Sequence, residues 1–135
     1  MLGGVSNYSV AATFLELRLA YFSSQPDSVQ ISFPNDSFPR FVVNLALLTE
    51  RDFVSSKIVD GGPDLGKVVE VVISEDALIR FNEAAQSNSR PGLGLFVEGR
   101  PVNLFQMLHP LEAPELWLTG MSNEEMSSLV RSIGQ

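Results

Sequence analysis

The chain has 135 residues, of which 44% are apolar and 19% charged, a composition typical of one ordinary globular domain. Its net charge of −7 disfavours nucleic acid or anionic lipid as a partner, because an acidic surface repels phosphate groups, and it favours a basic partner. The sequence contains no cysteine, which excludes disulfides, zinc–thiolate sites and thiol nucleophiles.

The N-terminal sequence leaves two compartments open. No apolar stretch approaches the roughly 18 to 20 residues of a membrane-spanning helix. Residues 1–10 are interpreted as a loose lead-in, without the basic and long apolar regions of a signal peptide. Either the protein is cytoplasmic, or it is extracytoplasmic and a leader has been removed. We treat residues 11–135 as a single domain.

The first half of the chain predicts strands joined by polar turns. Residues 15–19 alternate apolar and polar side chains, as a half-buried strand does, and residues 29–33 repeat this pattern. A third strand, rich in Val and Leu, is predicted over 41–48. Thr49 to Asp52 then fits a capping box, and the polar residues that follow limit this helix to one or two turns.

The second half alternates strands with two longer helices. Residues 67–73 are apolar on nearly both faces, which predicts a central strand. Ser74 caps a helix whose buried stripe includes Phe81. Strands are predicted over 93–97 and 115–119, and residues 102–108 fit either a second hairpin arm or a helical turn.

The last helix is capped at Ser122 and turns Met126, Leu129, Val130 and Ile133 to one face. The order of elements from residue 67 is therefore strand, helix, three strands, helix. This order predicts a ferredoxin-like α+β domain, with a mixed or antiparallel sheet and two main helices on one face.

Four stretches, in this order, resemble the soluble periplasmic region of SecD and SecDF, the accessory subunit of the bacterial protein-export translocase. They are a stretch at 47–53 that contains a Leu-Thr-x-x-Asp turn, a strand and helix at 69–81, a hairpin with Glu98-Gly99 at 95–102, and a helix entry with Gly-x-Ser-x-Glu-Glu at 118–125. The family usually has Asp at the position of Glu98. The resemblance implies a stand-alone extracytoplasmic domain, which lacks the membrane part that an export motor needs.

Candidate catalytic residues are few. His109 is the only histidine, and Glu112 is the only acid within three residues of it, so the sequence assembles neither a triad nor a metal site around it. Neither a nucleophile elbow nor a phosphate-binding loop occurs. The acidic pairs at 75–76 and 124–125 lie in first helical turns, where the helix dipole stabilises them. We expect no catalytic residue, metal or cofactor, and therefore no enzyme.

Five residues are candidates for a partner-binding surface: Arg100, Phe105, Met107, His109 and Trp117. Trp and Met give large, adaptable contact areas at such surfaces, although for Phe105, Met107 and Trp117 the sequence favours core packing over this interpretation. Alternation in the strand 115–119 sends Trp117 away from the two flanking leucines, toward a second layer or a partner. We expect residues 105–109 to form a flap beside the turn at 98–100.

Three functions remain as alternatives. The sequence favours a periplasmic or cell-envelope binding module that holds a peptide or protein, with an open sheet edge as one means of binding. The second is an immunity or inhibitor protein, whose acidic surface blocks a basic toxin or enzyme. The third is an enzyme, which requires a pocket that joins His109 to two carboxylates.

Overall fold

The computed structural model describes residues 13–106 and 108–133. The strands of this part are β1 (Leu15–Tyr21), β2 (Ser28–Ile31), β3 (Arg40–Val43), β4 (Leu48–Thr49), β5 (Phe53–Asp60), β6 (Lys67–Ile73), β7 (Gly92–Val97), β8 (Arg100–Phe105) and β9 (Glu115–Leu118). The helices are α1 (Glu75–Ala85), α2 (Asn123–Ile133) and a 3-10 helix at Glu50–Asp52. The predicted lead-in over 1–10 lies outside the described residues.

The strands form two sheets in which every described pairing is antiparallel. The smaller sheet has the order β9-β6-β5, and the larger one runs β2-β3-β1-β7-β8, with β4 also paired to β1. The predicted α+β class with two main helices is confirmed, although the strands are divided between two sheets. The apolar strand β6 is central in its sheet, as predicted.

The larger sheet is curled, so that the loop after β2 meets β8. The Asn35 side chain donates from Nδ2 to the Leu104 carbonyl at 2.9 Å, and its Oδ1 accepts the Leu104 N–H at 2.9 Å. Gly94 makes room inside the curl, because a Cβ there would lie 2.5 Å from the ring of Phe33. The curl encloses a small cluster formed by Ala20, Phe33, Val42, Phe96 and Leu104.

The main core is shared by both sheets and both helices. Its buried members include residues of β1 (Leu15, Leu17), β6 (Val69, Val71, Ile73), α1 (Ala77, Phe81), β7 (Leu93, Leu95, Val97), β9 (Leu118) and α2 (Met126, Leu129). Because β7 packs against this core on one face and against the curl cluster on the other, all six of its residues are buried.

The region from residue 41 to residue 60 differs from the prediction. The single strand predicted over 41–48 is split into β3 and β4, because the chain bends at residues 44–45 and then pairs with a different part of β1. The capping box at Thr49 is confirmed, but only a 3-10 turn follows it. The chain then becomes β5, since pairing with β6 along nearly its whole length, interrupted by one irregularity between Phe53 and Ser55, outweighs local helix capping.

Both predicted caps of the main helices are confirmed. The Ser74 hydroxyl accepts the Ala77 N–H at 3.2 Å at the start of α1. Before α2, the Ser122 hydroxyl accepts the Glu125 N–H at 3.1 Å, and Glu125 Oε1 accepts the Ser122 N–H at 2.9 Å. These two reciprocal bonds form the second capping box.

Candidate binding groove

An apolar groove of about 230 Å³ lies beside the end of β8 and along β9. We call it the β8–β9 groove. The helix α1 and β7 contribute Phe81 and Leu93, β8 contributes Phe105, the following loop contributes Leu108, His109 and Leu111, and β9 contributes Leu116, Trp117 and Leu118.

The groove follows the edge of β9. Successive side chains of a strand point to opposite faces, so a surface lined by three consecutive residues runs along the strand edge. Leu118 is buried opposite Val69, whereas Trp117 lies opposite Glu70 and is 45% exposed. The predicted alternation is therefore confirmed, and the interpretation of Trp117 as a core residue is wrong. The indole Nε1 donates to Glu70 Oε2 at 3.2 Å, which orients the ring.

The far wall of the groove is held by the side chain of Asn82 on α1. Its Oδ1 accepts the Leu111 N–H at 2.8 Å, and its Nδ2 donates to the Leu111 carbonyl at 3.3 Å. The Leu108 N–H donates to the Pro91 carbonyl at 3.0 Å. Sequence analysis missed Asn82, because a polar residue on an amphipathic helix ordinarily faces solvent.

A second asparagine fixes β8 against the end of β9. Asn103 Nδ2 donates to the Thr119 carbonyl at 2.9 Å and to its hydroxyl at 2.8 Å. Gly120 follows with φ +99°, and a Cβ there would lie 2.9 Å from the Asn103 Cβ. Only glycine tolerates both this conformation and this close approach.

The structure brings three of the five candidate residues together. Phe105, His109 and Trp117 all line the β8–β9 groove. Met107 lies outside the described residues. Arg100 is at the other end of β8, where it forms an ion pair with Glu125 of α2.

The predicted flap is not beside the hairpin turn. In the antiparallel β7–β8 pair, Arg100 lies opposite Val97 next to the turn, whereas Phe105 lies opposite Leu93. Five residues of extended chain separate these positions by about 17 Å. The expectation that this segment adjoins the turn at 98–100 is therefore wrong for its described residues, since Phe105, Leu108 and His109 lie beside residues of α1 or its C-terminal end.

Three glutamates are adjacent to groove-lining residues, by contact or in sequence. Glu70 accepts the indole bond and also lies 3.5 Å from the Lys57 ammonium. Glu112 and Glu115 are exposed, and each is adjacent in sequence to a lining leucine. Within residues 13–106 and 108–133, neither of these two carboxylates forms an ion pair. The groove therefore combines apolar walls with uncompensated negative charge.

His109 is exposed and lies where the groove meets a more polar cavity of about 370 Å³ beside the end of α1. Residues of this cavity include Gln86, Asn88 and Arg90. Among the described side chains, no three of His, Cys, Asp or Glu gather as they do around a metal ion. The arrangement presents an apolar contact surface with polar surroundings.

Comparison with known proteins identifies similar folds but no sequence family. No family model matches the chain, and no curated protein sequence matches it. A structure of SecDF, a membrane component that enhances protein export, matches with a TM-score of 0.62 at 16% identity, over 98% of this chain and 70% of that one. The crystal structure of SecDF in a super-membrane-facing form also gives 0.62, at 15% identity, over 97% of this chain and 21% of that one. The chain therefore has the fold of a SecD-like domain.

No helix in the described part of the chain is long and apolar enough to cross a membrane.

Proposed function

We propose that this protein is an extracytoplasmic, non-catalytic SecD-like domain that binds a peptide or protein partner in protein export. The observation that carries the proposal is the β8–β9 groove, which joins the half-buried Phe105 and the exposed Trp117 in one apolar surface. Exposed aromatic side chains in a concave apolar site are typical of surfaces that bind a partner.

The shape of the groove supports binding of a polypeptide chain. The groove runs along a strand edge, and Asn82 and Asn103 hold its walls through hydrogen bonds to backbone groups. A wall that is already ordered loses little conformational entropy when a partner binds. An extended segment therefore meets a preformed surface.

The comparisons support the export context and the compartment. The similar structures are those of SecDF, and one of them is described as a membrane component that enhances protein export. The level of identity establishes only a shared fold, and function does not follow from fold alone. The role in export is thus our proposal, and so is the extracytoplasmic location.

Capture of partners on immobilised protein tests this function. A Phe105→Ala/Trp117→Ala double variant removes the aromatic lining of the groove. The matched control is Phe38→Ala/Leu45→Ala, since these side chains are 70% and 79% exposed and do not line the groove. We expect polypeptides from a cell-envelope extract to be retained by the wild type and the control and lost by the double variant. Equal retention by all three proteins would contradict the proposal.

An inhibitor function is the second candidate, and the net charge of −7 is the observation that favours it. An acidic surface steers a basic toxin or enzyme toward the domain. The same capture experiment separates the two functions. Many extended polypeptides support export, whereas a single folded enzyme or toxin, bound stoichiometrically and inactivated, supports the inhibitor.

A further inference from the structure

The hydrogen-bond pattern of β9 shows which of its backbone groups face outward. The Ile73 N–H donates to the Pro114 carbonyl at 2.8 Å, so residue 114 faces β6. Backbone groups alternate between the two sides of a strand, so residues 116 and 118 also face β6, and residues 115, 117 and 119 face away. The bond from Asn103 to the Thr119 carbonyl agrees with this assignment. The N–H and C=O of Trp117 therefore point away from β6, toward the groove.

The nearby edge of β8 is protected at Leu104 and Pro101. Asn35 satisfies both backbone groups of Leu104, and Pro101 has no N–H to offer. Natural sheets use such devices to prevent an edge strand from pairing with another chain.

On the outward edge of β9, Asn103 occupies the Thr119 carbonyl and the Glu115 N–H donates to the Ala113 carbonyl, which leaves Trp117 between them. At Trp117 of β9, by contrast, no side chain of the described residues is hydrogen-bonded to the backbone groups that face the groove.

The charge around the open edge selects the kind of segment that fits it. Glu112 and Glu115 lie beside the groove without ion-pair partners in the described part of the chain, and the whole protein is acidic. An apolar segment is complementary to the walls, and basic residues next to it are complementary to these carboxylates.

We propose, building on the function above, that β9 receives an extended apolar segment flanked by Lys or Arg as an added strand. Trp117 exchanges both of its outward backbone hydrogen bonds with one residue of the segment. A neighbouring side chain of the segment enters the β8–β9 groove against Phe105 and Leu116. Glu112 and Glu115 interact with the basic flanks.

Trp117 is the only tryptophan, so intrinsic fluorescence reports on the groove directly. The probe is the end-blocked peptide Lys-Lys-Val-Ile-Val-Leu-Val-Lys-Lys. A second version carries N-methyl groups on alternate central residues and keeps one unmodified edge. A third carries them on every central residue and keeps none. All three share the same apolar side chains.

We expect the first two peptides to change the Trp117 emission with similar affinity. The fully N-methylated peptide should bind roughly tenfold more weakly, because it cannot donate to the strand edge. Equal binding of the fully N-methylated peptide would overturn strand addition but leave peptide binding intact. No emission change with any peptide would overturn the proposed function as well.

The charge component has its own test. Glu112→Gln and Glu115→Gln should each weaken binding of the lysine peptide roughly two- to fivefold at low salt, as expected for exposed charges. The matched control is Asp64→Asn, an exposed carboxylate in the β5–β6 turn that does not line the groove. A peptide with Glu in place of Lys should bind more weakly than the original. Equal affinities across this set would overturn the choice of a basic segment.

Discussion

At the scale of single residues, Arg40 is a buried charged side chain that needs hydrogen-bond and ion-pair partners inside the fold. It is only 1% exposed, yet it is charged. Its Nε donates to Asp36 Oδ2 at 3.1 Å, its Nη2 donates to Gln106 Oε1 at 2.8 Å, and its guanidinium lies 3.9 Å from the centre of the Phe22 ring. Arg40 thus joins the start of β3 to the chain that leaves β8, just before the groove.

Replacing Arg40 by Met should lower the free energy of unfolding by about 2 to 4 kcal/mol, because Asp36 then keeps a half-buried charge without its partner. Urea denaturation followed by circular dichroism measures this loss. Arg51→Met is the matched control, since Arg51 is exposed and should change stability by no more than about 0.5 kcal/mol. Similar losses for both variants would contradict the structural role of Arg40.

Tyr21 at the end of β1 gives a prediction about alkaline pH. Burial raises the pKa of its hydroxyl above the ordinary value of 10.0. Above pH 10 the unfolded chain loses this proton more readily than the folded protein does, so stability falls as pH rises. In urea melts at about pH 8 and about pH 11, the wild type should lose more stability than Tyr21→Phe. Equal losses would show that Tyr21 does not contribute.

At the scale of elements, the helices and strands that could be predicted are those that have a pattern within their own sequence. Both helices follow from an apolar stripe and a serine cap, and β6 follows from its run of Val and Ile. β5 was not predicted, because three consecutive polar residues, Ser55, Ser56 and Lys57, interrupt the alternation of apolar and polar side chains. Its stability comes from pairing with β6. Pairing between distant segments leaves little trace in a local pattern.

The cap of α2 gives a test at this scale. Ser122→Ala removes the hydroxyl that accepts the Glu125 N–H, and should lower the free energy of unfolding by about 1 kcal/mol. Ser127→Ala, within the same helix, is the control and should leave stability equal or slightly higher, because Ala favours helix. Thermal or urea melts compare the two. The assignment of the cap would be wrong if Ser122→Ala were as stable as the control.

At the scale of the whole molecule, the two sheets determine where the groove lies. Phe105, His109 and Trp117 are recognisable in the sequence as residues suited to a surface, but their meeting depends on how β8 and β9 are placed. Hydrogen bonds of Asn103 to Thr119 and of Asn82 to Leu111 support that placement, and no sequence motif predicts them. For the same reason Arg100, close to Phe105 in sequence, ends at the opposite end of β8.

The acidic charge belongs to the whole molecule as well. Net charge acts over distances up to about 10 Å at ordinary salt, and beyond this it is screened. It therefore steers a basic segment toward the domain and does not select the site. The apolar groove and the open edge of β9 provide that selection. Added salt should therefore slow the association of a basic segment but should not change the site at which it binds.

Amide hydrogen exchange resolved by NMR, with and without the lysine peptide, tests the central claim most directly. Strand addition to β9 predicts that exchange of the Trp117 N–H slows on binding, because this group gains a hydrogen bond. The amides of Leu116 and Leu118 should change little, since they already face β6. Unchanged exchange at Trp117, or slowing confined to the outer strand β5, would contradict binding at the β8–β9 groove.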